Sequence, residues 1–201
     1  VLNAALGWIS LGYETGDLGY LSCTDYINYH IATGYQWNDP TEYYRATSIL
    51  VSYFKTMNFG GMTQWHGVWG RFWYKLPAYH EVYIFYDYGF PFYDVYATRG
   101  GPALRIEYGQ EWGAGFSTDS RRNLAGEFEY YAYNGGNGTS HSISTYITYR
   151  PSSNVAVSFG PGYSRAHETP HWLDTFDDAY AFTTNGKRYL FADMDYQELS
   201  A

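Results

Sequence analysis

The stretch HSISTYITYRPSSNVAVSFGPGYSR, residues 141–165, decides the fold class. Ile143, Thr145, Ile147 and Tyr149 alternate with Ser142, Ser144, Tyr146, Thr148 and Arg150. Pro151-Ser152-Ser153 supplies a tight turn. Val155, Val157, Phe159 and Tyr163 then alternate with Asn154, Ala156, Ser158, Gly160, Gly162 and Ser164. Successive side chains of a strand point to opposite faces, so this period of two predicts two strands with one apolar face. Each is about ten residues long, the length a tilted strand needs to cross a bilayer. Residues 167–187 are polar and aperiodic and read as a long loop, and alternation resumes at Tyr189. Strand, short turn, strand, long loop and strand is the order expected of a membrane barrel.

The same rhythm extends toward the amino end. Ile27, Tyr29, Ile31, Thr33, Tyr35 and Trp37 alternate with smaller or polar residues before the turn Asn38-Asp39-Pro40-Thr41. Strands are predicted over Glu42–Thr56 and Met62–Leu76, joined by the reversal Asn58-Phe59-Gly60-Gly61. The faces of Met62–Leu76 stay unassigned, because Trp65, Trp69 and Trp73 oppose Phe72 and Tyr74. A strand carrying Val82, Ile84, Tyr86 and Tyr88 follows Pro77-Ala78-Tyr79, and Phe92–Ala103 reads as a loop. Leu104, Ile106, Tyr108, Trp112, Ala114 and Phe116 form the apolar side of a further strand, and Leu124, Phe128, Tyr130 and Ala132 that of the next. Loops are expected over Glu14–Thr24 and Asn134–Thr139, and Ala4–Tyr13 patterns weakly as a first strand.

The predicted fold is all-β: an antiparallel up-and-down transmembrane β-barrel of about ten strands, complete or part of a larger barrel. Residues 1–201 then form a single barrel domain or a barrel fragment. The rival is a soluble β-sandwich, whose strands usually run about five or six residues. Short connections at Asn38, Pro77, Thr118 and Pro151 mark one end of the barrel as periplasmic, and longer ones mark the other as outer. Ile27, Tyr29, Ile31, Leu104, Ile106, Tyr108, Trp112, Val155, Val157 and Phe159 are expected to face lipid.

Composition agrees with this location. The 201 residues are 22% aromatic, with 25 Tyr and 7 Trp, side chains suited to membrane interfaces and to carbohydrate surfaces alike. No run of about 20 apolar residues suits a spanning helix. A net charge of -8 argues against nucleic acid as a partner. Cys23 is the only cysteine, so no intramolecular disulfide or cysteine-based zinc site forms. The sequence starts at Val1 without a signal peptide, which reads as a processed or excised segment.

Asn154–Arg165 (NVAVSFGPGYSR), Gly186–Asp195 (GKRYLFADMD), Thr98–Pro102 (TRGGP) and Ser117–Arg122 (STDSRR) carry a family resemblance. Asp17–Leu21 (DLGYL) and Asn28–Trp37 (NYHIATGYQW) extend it. Together these motifs resemble the carboxy-terminal barrel domain, of uncharacterised function, found in large bacterial envelope proteins. Those proteins often carry an amino-terminal module similar to family-nine carbohydrate-binding modules. The resemblance implies the outer membrane of a Gram-negative bacterium and a barrel that continues beyond both ends of this sequence. It implies no catalytic residues.

Candidate chemistry is sparse. His167-Glu168-Thr169-Pro170-His171 matches the letters of H-E-x-x-H, which needs both histidines on one helical face. Pro170 and the absence of helical periodicity favour polar loop residues instead. Asp193 and Asp195 with Glu198 lack the twelve-residue pattern of a calcium loop and its glycine, and the loop cluster Asp174, Asp177 and Asp178 reads as solvated acids, with calcium binding as the lesser alternative. No catalytic residue, metal site or cofactor is expected. The residues opposite the apolar face are the informative set: Asp87, Arg105, Glu107, Glu111, Glu127, Glu129, Arg150, Asp193 and Asp195 are the lumen-facing candidates. They imply a wet lumen or one filled by ion pairs. Two functions follow as expectations. One is a non-catalytic outer-membrane anchor, pore or translocation element with lipid as partner. The other is a cell-surface protein that binds or handles glycans.

Overall fold

A computed structural model describes residues 1–14 and 24–201 of the chain. The expected loop over residues 14–24 and Cys23 thus lie almost wholly outside the described residues. The strands are β1 (Leu2–Ile9), β2 (Tyr26–Trp37), β3 (Ala46–Met57), β4 (Thr63–Lys75), β5 (Glu81–Gly89), β6 (Phe92–Asp94) and β7 (Leu104–Ile106). They continue with β8 (Gly109–Ser117), β9 (Leu124–Gly135), β10 (Gly138–Ser152), β11 (Val155–Phe159), β12 (Gly162–Asp177) and β13 (Lys187–Ser200). A short 3-10 turn, Phe182–Thr184, is the only helical element among the described residues.

One antiparallel sheet runs β1-β2-β3-β4-β5-β8-β9-β10-β12-β13, and β11 also pairs with β10. Phe159 pairs with Ile147 and Gly162 with Ser144, so β11 and β12 share one position beside β10, interrupted at Gly160-Pro161. β1 and β13 are not paired with each other, so the expected closed barrel is an open sheet here.

Cross-strand partners share a face, so the registers assign every face. Thr33, Val51, Gly70, Tyr86, Trp112, Ala132, His141 and Arg165 form one continuous row. On that face lie most of the large exposed apolar side chains of β1 to β11, including Trp8, Ile31, Ile49, Phe72, Ile84, Phe116, Phe128, Ile147 and Val157. Tyr146 is the exception within the main sheet. The opposite face carries glycines, serines, carboxylates and inward aromatics. The face of β4 that the sequence leaves open is settled: Trp65, Trp69 and Trp73 pair with Thr56, Ser52 and Ser48 on the polar face. Phe92, Ile106, Ala132 and Ala166 are the only buried apolar residues among those described, whereas Ile31 is 52% and Val157 60% exposed.

The apolar surface runs obliquely across the sheet. Its centre on β2 is near Thr33, whose row meets β10 at His141 after six strand steps. On β10 the apolar residues centre instead on Ile147, flanked by Ile143 and Tyr149. The band therefore climbs about one residue per strand, or about 3.3 Å along the chain per 4.8 Å across it, an inclination of about 35°.

Several expected boundaries move. Of residues 167–187, expected as one loop, only 178–186 connect strands. β12 continues to Asp177 and pairs with β13 down to Asp177 opposite Lys187, with irregularities between Glu168 and His171 and between Trp172 and Asp174. This hairpin extends past the apolar band, where nothing selects apolar residues at alternate positions. Asn134–Thr139 is a tight turn, because Gly135 pairs with Gly138. Gly138 has φ 131, and a Cβ there would strike the His167 carbonyl. β3 begins only at Ala46, so the β2–β3 connection is longer than the sequence suggests. Leu104–Ile106 leaves the main sheet and pairs with β6. Ile106 is 3% exposed, so Leu104 and Ile106 belong to a flap and not to the apolar face.

Candidate functional site: the polar face of the sheet

The alternation that sends apolar groups to one face brings carboxylates together on the other. Asp87 of β5 stands directly opposite Glu111 of β8, and Glu129 and Glu127 of β9 pair with Gly115 and Ser117. A hollow of about 480 Å³ opens here, lined by Trp69, Arg71, Tyr83, Phe85, Asp87, Glu111, Glu129 and Tyr131. Glycines make the room. A Cβ at Gly113 would strike the Phe85 ring and one at Gly115 the Tyr83 ring, so the aromatics lie across the part of β8 that has no side chains on this face. The Tyr83 hydroxyl donates to Glu129 Oε1 at 2.8 Å and lies 3.0 Å from the Tyr131 hydroxyl. Phe85 and Tyr131 contact at a centroid distance of 5.6 Å.

Charge in this wall is not neutralised by salt bridges. Arg71 lies over the Tyr83 ring, 4.9 Å from its centroid, and makes no ion pair with a carboxylate among the described residues. Glu81, nearer the turn end, is taken by Lys75 at 2.8 Å and by the Trp73 indole N–H at 3.1 Å. The wall's carboxylates have the charge to draw cations, and Trp69, Tyr83, Phe85 and Tyr131 line the same hollow.

The other candidate residues lie elsewhere. Arg105 and Glu107 pair at 3.2 Å on and beside β7, outside the main sheet. Arg150 Nη1 donates to the Ser120 carbonyl at the turn end. Asp195 stands opposite His167 at 3.2 Å in the register row of Thr139, on the face opposite Glu111. Asp193, two residues along, accepts from the Thr169 hydroxyl. Of the nine candidates, Asp87, Glu111, Glu127 and Glu129 are therefore brought into one wall. The bases expected to pair with them do not reach it.

Three other sequence features also resolve. His167 and His171 lie on a strand and not a helix. His171 Nδ1 contacts Glu168 Oε2 at 2.6 Å, and Glu168 Oε1 accepts from the Tyr196 hydroxyl at 3.0 Å. Of the loop acids, Asp177 pairs with Lys187, Asp178 with Arg188, and Asp174 accepts from the Thr175 amide. No group of three or more His, Cys, Asp or Glu side chains among the described residues is placed to hold a metal ion.

The sequence did not signal the cover over this face. The segment between β5 and β8 folds back with its β6–β7 hairpin against β4: Trp65 meets Phe92 edge-on at 4.6 Å, and Arg99 lies 4.4 Å over the Trp172 ring. Between the hairpin and β9, β10 and β12 is a second hollow of about 390 Å³, lined among others by Arg99, Ile106, Tyr133, Glu168 and Trp172. Phe92 and Ile106 could have indicated it, as apolar residues flanking the turn-rich sequence Thr98–Pro102.

No curated protein and no solved structure matches the chain. Residues 3–198 match the family described as Domain of unknown function (DUF5916). With nearly its whole length covered, the chain belongs to the DUF5916 family.

Proposed function

We propose that this chain is a membrane-spanning β-barrel segment of the bacterial outer membrane, serving as an anchor, pore or translocation element without catalysis. One observation carries the reading: the large apolar side chains are exposed on one face of a long antiparallel sheet, in a band inclined by about 35° to the rows of paired residues. A soluble sandwich would bury such a face against a second sheet, and among the described residues only Phe92, Ile106, Ala132 and Ala166 form a buried apolar core. Strands of barrels tilt by about 35–45° to the barrel axis, so a band level with a bilayer must cross the rows obliquely. In this reading the free edges of β1 and β13 are joined directly or through further strands, and the acidic face lines the interior.

The test is reconstitution of the purified chain into phosphatidylcholine vesicles, followed by polarised infrared spectroscopy. The expected result is β structure that resists extraction by carbonate, with strands tilted by about 35–45°. A chain that stays folded and monomeric in buffer, without detergent or lipid, would refute the proposal.

A further inference from the structure

Two basic side chains sit within strands on the apolar face, and each has a histidine directly across from it. Lys55 of β3 pairs with His66 of β4, and Arg165 of β12 pairs with His141 of β10. Neither Lys55 nor Arg165 has a carboxylate at ion-pair distance among the described residues. Their surroundings supply little negative charge. Lys55 is flanked on its other side by Tyr29, and Arg165 by Gln197. Asp195, one rung from Arg165 on the same face, contacts His167 at 3.2 Å. His66 Nδ1 is buried without a hydrogen-bond partner, and His141 contacts the Tyr130 hydroxyl through Nδ1.

The two pairs are far apart around the sheet but level with each other. Following the band at about one residue per strand, its centre falls near Leu50 on β3, Phe72 on β4 and Ile147 on β10. All four side chains then lie about five to seven residues from the centre, toward the end that carries the β6–β7 hairpin. At about 3.3 Å per residue and an inclination of about 35°, that is about 16 Å from the mid-plane. The hydrocarbon of a bilayer ends about 15 Å from its centre and the headgroups extend to about 22 Å.

We propose that Lys55–His66 and Arg165–His141 are two phosphate-binding points for anionic lipid headgroups at one border of the membrane-facing surface. The inference rests on the membrane reading above. A cation beside a histidine is poorly placed with no anion nearby, and a headgroup phosphate offers oxygens to both side chains at the depth where they lie. The partner is the phosphate of membrane lipid, because the two points share a depth and face outward from the sheet rather than converging on one pocket.

The test compares unfolding midpoints of the wild-type chain in vesicles of phosphatidylcholine and in vesicles containing phosphatidylglycerol. The wild type is expected to favour the anionic vesicles by about fivefold per cation in its folding equilibrium, despite a net charge of -8 that opposes this preference. The Lys55→Gln, Arg165→Gln double variant should lose the preference, and Lys55→Arg, Arg165→Lys should keep it, which separates lost charge from lost folding. Equal stability of the wild type in both lipids, or a preference surviving the Gln pair, would overturn the proposal while leaving the membrane reading intact. Failure to insert into either lipid would instead remove the membrane reading and this inference with it.

Discussion

At the residue scale, Val157 and Asp119 test the two environments. Val157 is 60% exposed, beside Tyr149 and close to the centre of the apolar band. Val157→Arg is expected to destabilise the lipid-embedded chain by about 2–4 kcal/mol, since a guanidinium near the bilayer mid-plane loses its water. Ser158→Lys, one residue along and on the polar face, should cost much less. Denaturant titration in vesicles measures both, and equal losses would mean that the faces are misassigned. Asp119 lies in the β8–β9 turn, outside the strands of the sheet. It is 4% exposed, and its carboxylate takes Arg121 Nε at 2.8 Å and Arg122 Nε at 3.7 Å. The Arg121 hydrogen bond holds its pKa well below the usual carboxylate range. A depressed folded pKa contributes stability above the unfolded value, about 3.9, and loses it as pH falls from there toward the folded value. Asp119→Asn should therefore destabilise the chain at pH 7 and progressively less in acid. A penalty that is the same at pH 7 and pH 3 would show that the ion pairs contribute nothing.

At the element scale, face alternation was legible and strand ends were not. The strands carrying Ile27–Trp37 and Val155–Phe159 read directly from period two, because each crosses the apolar band. The distal half of β12 did not, because the ladder there is held by backbone hydrogen bonds and polar pairs such as Lys187–Asp177 and Trp172–Thr175. Leu104–Ile106 misled for the opposite reason. It alternates like a spanning strand, yet its apolar groups face a local hairpin that the pattern does not distinguish from lipid. β8 depends on its glycines. Gly113→Ala would press a methyl group against the Phe85 ring and the Tyr130 carbonyl. An expected loss of about 1–3 kcal/mol should appear in the unfolding midpoint, together with a changed near-ultraviolet signal from the displaced ring. Gly70→Ala, where a Cβ would meet only the Leu50 carbonyl at ordinary contact distance, is the control.

At the scale of the whole molecule, the acidic wall sets the expected behaviour. Asp87, Glu111, Glu127 and Glu129 share one face and make no salt bridge among the described residues, so an open interior should conduct cations in preference to anions. Planar-bilayer recording should show that preference in the wild type and its loss when all four acids are replaced by Asn or Gln. Anion selectivity unchanged by those substitutions would refute the assignment of this face to an aqueous interior. What the sequence by itself determined is the alternation, and with it an all-β chain with one apolar face and the carboxylates opposite. That much is local, because neighbouring side chains on a strand must point apart. Only the tertiary structure decided which carboxylates meet, because that depends on register between strands distant in sequence. It separated Asp87, Glu111, Glu127 and Glu129 from Arg105, Glu107, Asp193 and Asp195. It folded the β6–β7 hairpin over the polar face. It also revealed the incline of the apolar band, which no single strand contains because it is the accumulated offset of one strand against the next.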